Sequence, residues 1–199
     1  NKYEADILNE LIDLSSPQAD KSTIFLWPEG TITDTYLSDI KIYENMISKK
    51  FSKNHFLIFG INTLEFSNGK DLYFNSMAVF NNKLNLLSSY NKVNLVPFGE
   101  FLPFENILNS IGIKTVTNNY QSYSEGLERK PITIQDKKIN LTFLPLICYE
   151  IIYSGKIFKD ANFDYIINIS EDGWFGESIG PYQHFTHSVF RAIESGKYI

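Results

Sequence analysis

A thiol, a carboxylate and an ammonium, each placed at the end of an apolar segment, are the residues of this chain that can do chemistry together. Cys148 is the only cysteine, so no disulfide forms within the chain. It follows an apolar run over residues 139–147 that reads as a buried strand, and it precedes a helix-like segment over 150–159. A side chain at such a turn faces the mouth of an α/β fold, where unpaired backbone N–H groups can hold an anion. Glu29 and Lys92 end other buried segments, and sites in open α/β sheets collect beyond the carboxyl ends of strands. A thiol needs a base, and a poorly solvated carboxylate has a pKa high enough to serve. A fixed ammonium plus a backbone N–H can stabilise the oxyanion of acyl transfer. Glu, Lys and Cys are therefore a complete set for covalent acyl transfer, with no histidine, cofactor or metal. Taken singly, each has a plain alternative: a buried apolar thiol, a helix N-terminal charge for Glu29, a solvated surface Lys92.

The elements that must position these groups alternate in type. Residues 4–14 put Ile7, Leu8, Leu11, Ile12 and Leu14 at helical spacing. Residues 23–27 form a short strand stopped by Pro28. Thr33 to Thr35 are expected to cap a helix over 37–51. Residues 56–62 are a buried strand. Residues 71–80 and 83–90 form a hairpin turning at Asn81-Asn82. A loop over 90–103 is punctuated by Pro97, Gly99 and Pro103. A short helix follows over 105–111, and residues 115–129 lack periodicity. Residues 131–135, 139–146 and 165–169 are strands, and residues 170–180 are a loop. Pro181 stands at the first turn of a helix that runs to about Ser195. Strands alternating with helices, plus one inserted hairpin, give an α/β class with a mixed sheet.

Composition narrows the function. The 199 residues are 43% hydrophobic and 15% aromatic, enough for one globular domain with a real core. A net charge of −5 without a Lys/Arg stripe gives no footprint for nucleic acid. No run of 18 apolar residues spans a membrane, and no signal peptide is visible. The chain opens on Asn1 and ends at Ile199 inside a helical pattern, so the expectation is a single catalytic domain over residues 1–199, truncated at both ends.

Four blocks in order carry a resemblance over residues 20–199. They are Trp27-Pro28-Glu29; Tyr90-Asn91-Lys92 with Leu95-Val96-Pro97-Phe98-Gly99-Glu100-Phe101-Leu102-Pro103; Ile147-Cys148-Tyr149-Glu150; and Asn168-Ile169-Ser170-Glu171-Asp172-Gly173-Trp174-Phe175-Gly176 with Ser178 to His184 and Arg191 to Glu194. They resemble the active-site blocks of the nitrilase (carbon–nitrogen hydrolase) superfamily, and within it the apolipoprotein N-acyltransferase family. The resemblance implies a nitrilase-like α-β-β-α sandwich, here an incomplete domain. It implies Glu29 as general base, Lys92 as oxyanion stabiliser and Cys148 as nucleophile. It implies Glu100 as an orienting carboxylate, Tyr149 and Glu150 as supports, and Phe98, Phe101, Asn168, Ser170, Trp174 and Phe175 as pocket wall or lid. Gly30, Glu171 and Gly173 depart from the family pattern at the rim. The implied reaction moves a fatty acyl group from a membrane phospholipid, through a Cys148 thioester, to the N-terminal amine of a diacylglyceryl-cysteine apolipoprotein. The implied setting is the bacterial inner membrane, reached through another part of the parent chain, with the catalytic domain facing the periplasm.

Two other readings use the same residues. One is a soluble amidase or nitrilase with water as acceptor. The other is a non-catalytic binding domain. His184 and His187 lie i, i+3 as zinc ligands can, but no third ligand is evident, and a packing or supporting role for His184 is expected. Arg191 and Glu194 are expected to pair on the helix surface. Phe98, Phe101, Leu102, Phe104, Ile107 and Leu108 form an apolar cluster, either a satellite core or a lid.

Overall fold

A computed structural model describes residues 2–103, 122–155, 157 and 162–199. Two mixed sheets lie face to face. The first holds β1 (Thr23–Leu26), β2 (Ile32–Tyr36), β3 (His55–Ser67), β4 (Lys70–Asn81) and β5 (Leu86–Asn91). β1 and β2 run parallel to β3, and β3, β4 and β5 are antiparallel in turn. The second holds β6 (Ile132–Gln135), β7 (Asn140–Ile147) and β8 (Tyr165–Ile169), with β7 antiparallel to β6 and parallel to β8.

The two-residue period of a strand builds the layers. Phe56 and Ile58 of β3 point between the sheets with Met77, Val79, Phe143, Ile147, Ile167 and Ile169. Their neighbours Leu57, Phe59 and Ile61 point outward against α1 (Lys2–Ser15) and α2 (Glu44–Ser48), meeting Leu8, Ile12 and Ile47. Leu144, Leu146 and Ile166 face the far side with Ile151 and Phe163. The last helix, α3 (Gly180–Ser195), carries Pro181 in its first turn as expected. The result is the expected α-β-β-α arrangement. Among the described residues, no helix is long and apolar enough to cross a membrane.

Several local expectations change. Thr33 to Thr35 cap no helix; they lie in β2, because the buried carboxylate of Glu4 takes the N–H groups of Thr33, Asp34 and Thr35 at 3.0, 2.7 and 3.2 Å. The helix expected over 37–51 is a 3-10 segment, Leu37–Tyr43, followed by α2. Leu14 is exposed, whereas Glu4 is buried on the core side of α1. β3 runs past Asn62 to a second hairpin at Asn68-Gly69, whose φ values of 51 and 76 are those of a two-residue turn. Of the helix expected over 150–159, the described part is a 3-10 turn, Cys148–Ile152, followed by Ser154 and a positive-φ Gly155, while residues 156, 158 and 159 lie outside the described residues. The helix expected over 105–111, together with Phe104, Ile107 and Leu108, lies outside the described residues.

Candidate active site

The site forms where four chain segments leave the two sheets. β1 ends at Leu26, and Pro28 turns Glu29 over the middle of β3, at Gly60. Gly60 permits this approach: a Cβ there would sit 2.6 Å from the Gly30 nitrogen and 2.7 Å from the Glu29 Cα. Lys92 follows β5, and its carbonyl accepts a 2.8 Å bond from the Gly126 N–H. Cys148 follows β7 with φ 49. For a non-glycine residue that left-handed backbone costs about 1–3 kcal/mol and persists only where its surroundings hold it.

Three charged groups converge there. Lys92 is 1% exposed and lies between two carboxylates: Nζ is 3.3 Å from Glu29 Oε1 and 2.9 Å from Glu100 Oε1. Burial works against the Lys92 ammonium, yet Glu29, Glu100 and Cys148 hold its pKa above the ordinary lysine value. Asn75 of β4 bridges the two carboxylates, with Nδ2 donating to Glu29 Oε1 and Glu100 Oε1, each at 2.7 Å. Glu100 Oε2 accepts the Val96 N–H at 2.8 Å, and Glu29 Oε2 accepts the Glu171 N–H at 3.1 Å.

Cys148 is half-buried at the end of the inter-sheet core. Burial and then the Glu29 carboxylate push its thiol up to about 11, while Lys92 and a hydrogen bond with Ser170 pull the other way. Burial and the neighbouring Glu29 charge both favour the neutral thiol over the thiolate. The arrangement can therefore pass a proton from sulfur to a carboxylate as sulfur attacks, with an ammonium beside the reacting atoms.

Behind this group lies a second one. Glu150 is wholly buried. Its Oε1 accepts from Tyr90 Oη at 2.7 Å, Val93 N at 3.0 Å, Asn94 N at 3.0 Å and Arg129 Nη2 at 2.6 Å. Its Oε2 accepts the Ile147 N–H at 2.9 Å. Glu150 thus ties the backbone after Lys92 to the backbone before Cys148.

Glu29, Lys92, Glu100, Cys148 and Ser170 come together as read from the sequence. Tyr149 packs edge-on against Tyr153 at 5.6 Å. Phe98 and Trp174 are 63% and 80% exposed, Phe101 bridges to Pro97, and Phe175 is half-exposed. Asn168 and Ser170 both line a mostly apolar trough along β8 and α3, beside Tyr165, Ile166 and Phe185. Asn75 and Arg129 are additions that the sequence did not flag, and Asp172, quoted within the fourth block, was given no role there. His184 pairs with Asp172 at 2.7 Å and does not join His187. Arg191 does pair with Glu194, at 2.6 Å, but from a buried position and not on the surface. Among the described residues, Cys148, Asp172 and His184 are the three donors that could hold a metal ion, their ligand atoms lying within 4.8 Å of one another.

Two facing mixed sheets between helical layers, with a Cys-bearing turn, define a class, and residues 22–199 match the family model described as Carbon-nitrogen hydrolase. The chain belongs to the carbon–nitrogen hydrolase family. Its curated relatives are narrower in kind. It is 35% identical over 176 residues to the apolipoprotein N-acyltransferase of Rhizobium rhizogenes, covering 87% of this chain and 32% of that protein. It is 35% identical over 196 residues to that of Wigglesworthia glossinidia brevipalpis, covering 96% and 38%. It is 38% identical over 129 residues to that of Brucella suis, covering 64% and 24%. The chain spans between about a quarter and two fifths of the length of these relatives. Among solved structures, an amidase from Nesterenkonia sp. matches with TM-score 0.58 at 14% identity, over 99% of this chain and 69% of that one. A glutamine-dependent NAD+ synthetase from Acinetobacter baumannii matches with TM-score 0.56 at 18% identity, over 96% and 33%. Both likenesses are of fold.

Proposed function

We propose that residues 1–199 are the catalytic domain of an apolipoprotein N-acyltransferase, working through a Glu29–Lys92–Cys148 triad. The observation that carries the reading is Lys92: an ammonium 1% exposed, held between two carboxylates beside the only thiol. The names of the relatives supply the substrate class.

In the first step Cys148 sulfur attacks the acyl carbonyl of a membrane phospholipid. Glu29 takes the thiol proton. Lys92 and a backbone N–H of the Cys148 turn stabilise the oxyanion. The lysophospholipid leaves as its alcohol, taking that proton, and a thioester remains. In the second step the N-terminal amine of a diacylglyceryl-cysteine apolipoprotein attacks the thioester. Glu29 takes the amine proton and returns one to sulfur. Glu100 orients Lys92, and Glu150 with Tyr149 holds the turn. Phe98, Phe101 and Phe175 border the entrance, where excluding water protects the thioester. The full-length protein sits in the bacterial inner membrane with this domain facing the periplasm.

The test is the intact mass of the full-length protein after incubation with phospholipid micelles. One acyl addition, removed by hydroxylamine and absent in Cys148→Ala, is the expected result. No adduct from phospholipid, in a protein that turns over small amides, would overturn the lipid assignment and favour water as acceptor.

A further inference from the structure

The left-handed backbone at Cys148 needs a holder, and α3 supplies one. Only two residues of α3 are buried, His184 and Arg191. They lie seven apart, two turns along one face. Both reach the Cys148–Ile152 turn: His184 Nε2 lies 3.0 Å from the Cys148 carbonyl oxygen, and Arg191 Nη1 lies 3.3 Å from that of Ile152. The His184 contact is the one at the strained residue.

The His184 ring is fixed from its other side. Nδ1 lies 2.7 Å from Asp172 Oδ1, and Ser170 Oγ donates to the same oxygen at 2.7 Å. A carbonyl only accepts, so Nε2 is the donor at Cys148, while the Asp172 contact at Nδ1 fixes the plane of the ring. Ser170 also hydrogen-bonds the Cys148 side chain, so one short chain of groups touches the residue at its backbone and at its sulfur.

We propose that His184, oriented by Asp172 and Ser170, is a positioning residue: its grip on the Cys148 carbonyl fixes the left-handed turn that aims the thiol at Glu29 and Lys92. The inference rests on Cys148 being the nucleophile. It does not depend on which acyl donor the protein uses.

The experiment compares His184→Ala, His184→Gln and Arg191→Ala in the full-length protein. Gln places an amide N–H near the position of Nε2. Three quantities are read: the rate of acyl addition to Cys148 from phospholipid micelles in a single turnover, the rate of Cys148 alkylation by iodoacetamide, and the melting temperature. A small displacement of a reacting atom costs on the order of 100-fold. His184→Ala should slow acylation by about that factor with KM for phospholipid nearly unchanged, since the loss falls on the chemical step. His184→Gln should recover about 10-fold of the loss, the amide restoring one hydrogen-bond donor but not the ring's tie to Asp172. Arg191→Ala, which leaves the Cys148 carbonyl bond intact, should lower the melting temperature while acylation stays near normal. If His184→Ala does not fold, His184→Gln and Asp172→Asn decide: both folded, both slowed, and Asp172→Asn altered in alkylation rate.

Acylation at the normal rate in a folded His184→Ala protein would overturn the proposal. So would equal losses in His184→Ala and Arg191→Ala that track melting temperature alone. Should the unmodified protein take no acyl group from phospholipid, the lipid reading fails by itself. The alkylation rates then judge His184, because iodoacetamide needs only the aimed thiol.

Discussion

Two buried carboxylate clusters flank the same few residues and are built to opposite ends. Glu150 has every nearby donor turned on it: a tyrosine hydroxyl, a guanidinium and three backbone N–H groups. Burial and then the Glu150 charge hold the Tyr90 hydroxyl far above its usual range, so this proton stays in place. Glu29 shares Lys92 with Glu100, takes one amide and one backbone N–H, and meets a thiol that can give up its proton. A carboxylate saturated by fixed donors can only hold chain segments in place. One left facing a movable proton can do chemistry.

The contrast can be broken most sharply by charge removal. Glu29→Gln keeps the shape and should reduce thioester formation about 1,000-fold, within the range for a general base, with little change in melting temperature. Glu150→Ala should do the reverse first. It leaves Arg129 buried without its charge partner, a loss of about 3–5 kcal/mol, read as a shift of the urea midpoint. If Glu150→Ala were as stable as the parent, its scaffold role would be wrong.

Gly60→Ala sharpens the comparison from the backbone. The three atoms nearest its Cβ would all belong to Glu29 and Gly30, at 2.6–3.0 Å. Activity should fall about 100-fold from misplacement of the base, measured as the single-turnover rate. Unchanged activity would show that Glu29 tolerates displacement.

The mildest effect is electrostatic. Glu29 is one of the charges that push the Cys148 thiol up to about 11. Removing that charge while keeping Lys92 lowers the cost of the thiolate, so the midpoint of the iodoacetamide pH profile should move below 11 in Glu29→Gln. The same shift gives a stability signature. The unfolded thiol ionises near 9.0 and the folded one near 11, so the folded state binds the extra proton between them. Stability from this group is full below about pH 9 and is lost as pH rises toward 11. The difference between the parent and Cys148→Ser in urea unfolding isolates it.

The meeting of Glu29, Lys92 and Cys148 was legible because each ends an apolar segment, and a polar residue there is conspicuous. Asn75 was not: it sits within β4, where alternation offers a polar residue at any second position. Arg129 lies in a stretch without periodicity, so nothing local marks it, and Asp172 stood in a quoted block with nothing to show that it would meet His184. The Asn68-Gly69 hairpin was readable as a turn dipeptide but was passed over. The helix cap expected at Thr33 to Thr35 failed for a tertiary reason. Glu4, on a distant helix, captures the N–H groups that a capping side chain would have taken. Strands that are continuous apolar runs, such as β7 and β8, were placed within a residue or two. The 3-10 turn after Cys148 was read as a longer helix because the apolar spacing of its first turn carries no stop signal before Ser154 and Gly155.

The most direct test of the central claim takes thioester formation and thermal unfolding from the same sample of Glu29→Gln. The account predicts a folded protein, melting as the parent does, whose thiol still reacts with iodoacetamide but gains acyl groups about 1,000-fold more slowly. A Glu29→Gln protein that forms the thioester at the parental rate would contradict it, because the proton on Cys148 would then be leaving by another route.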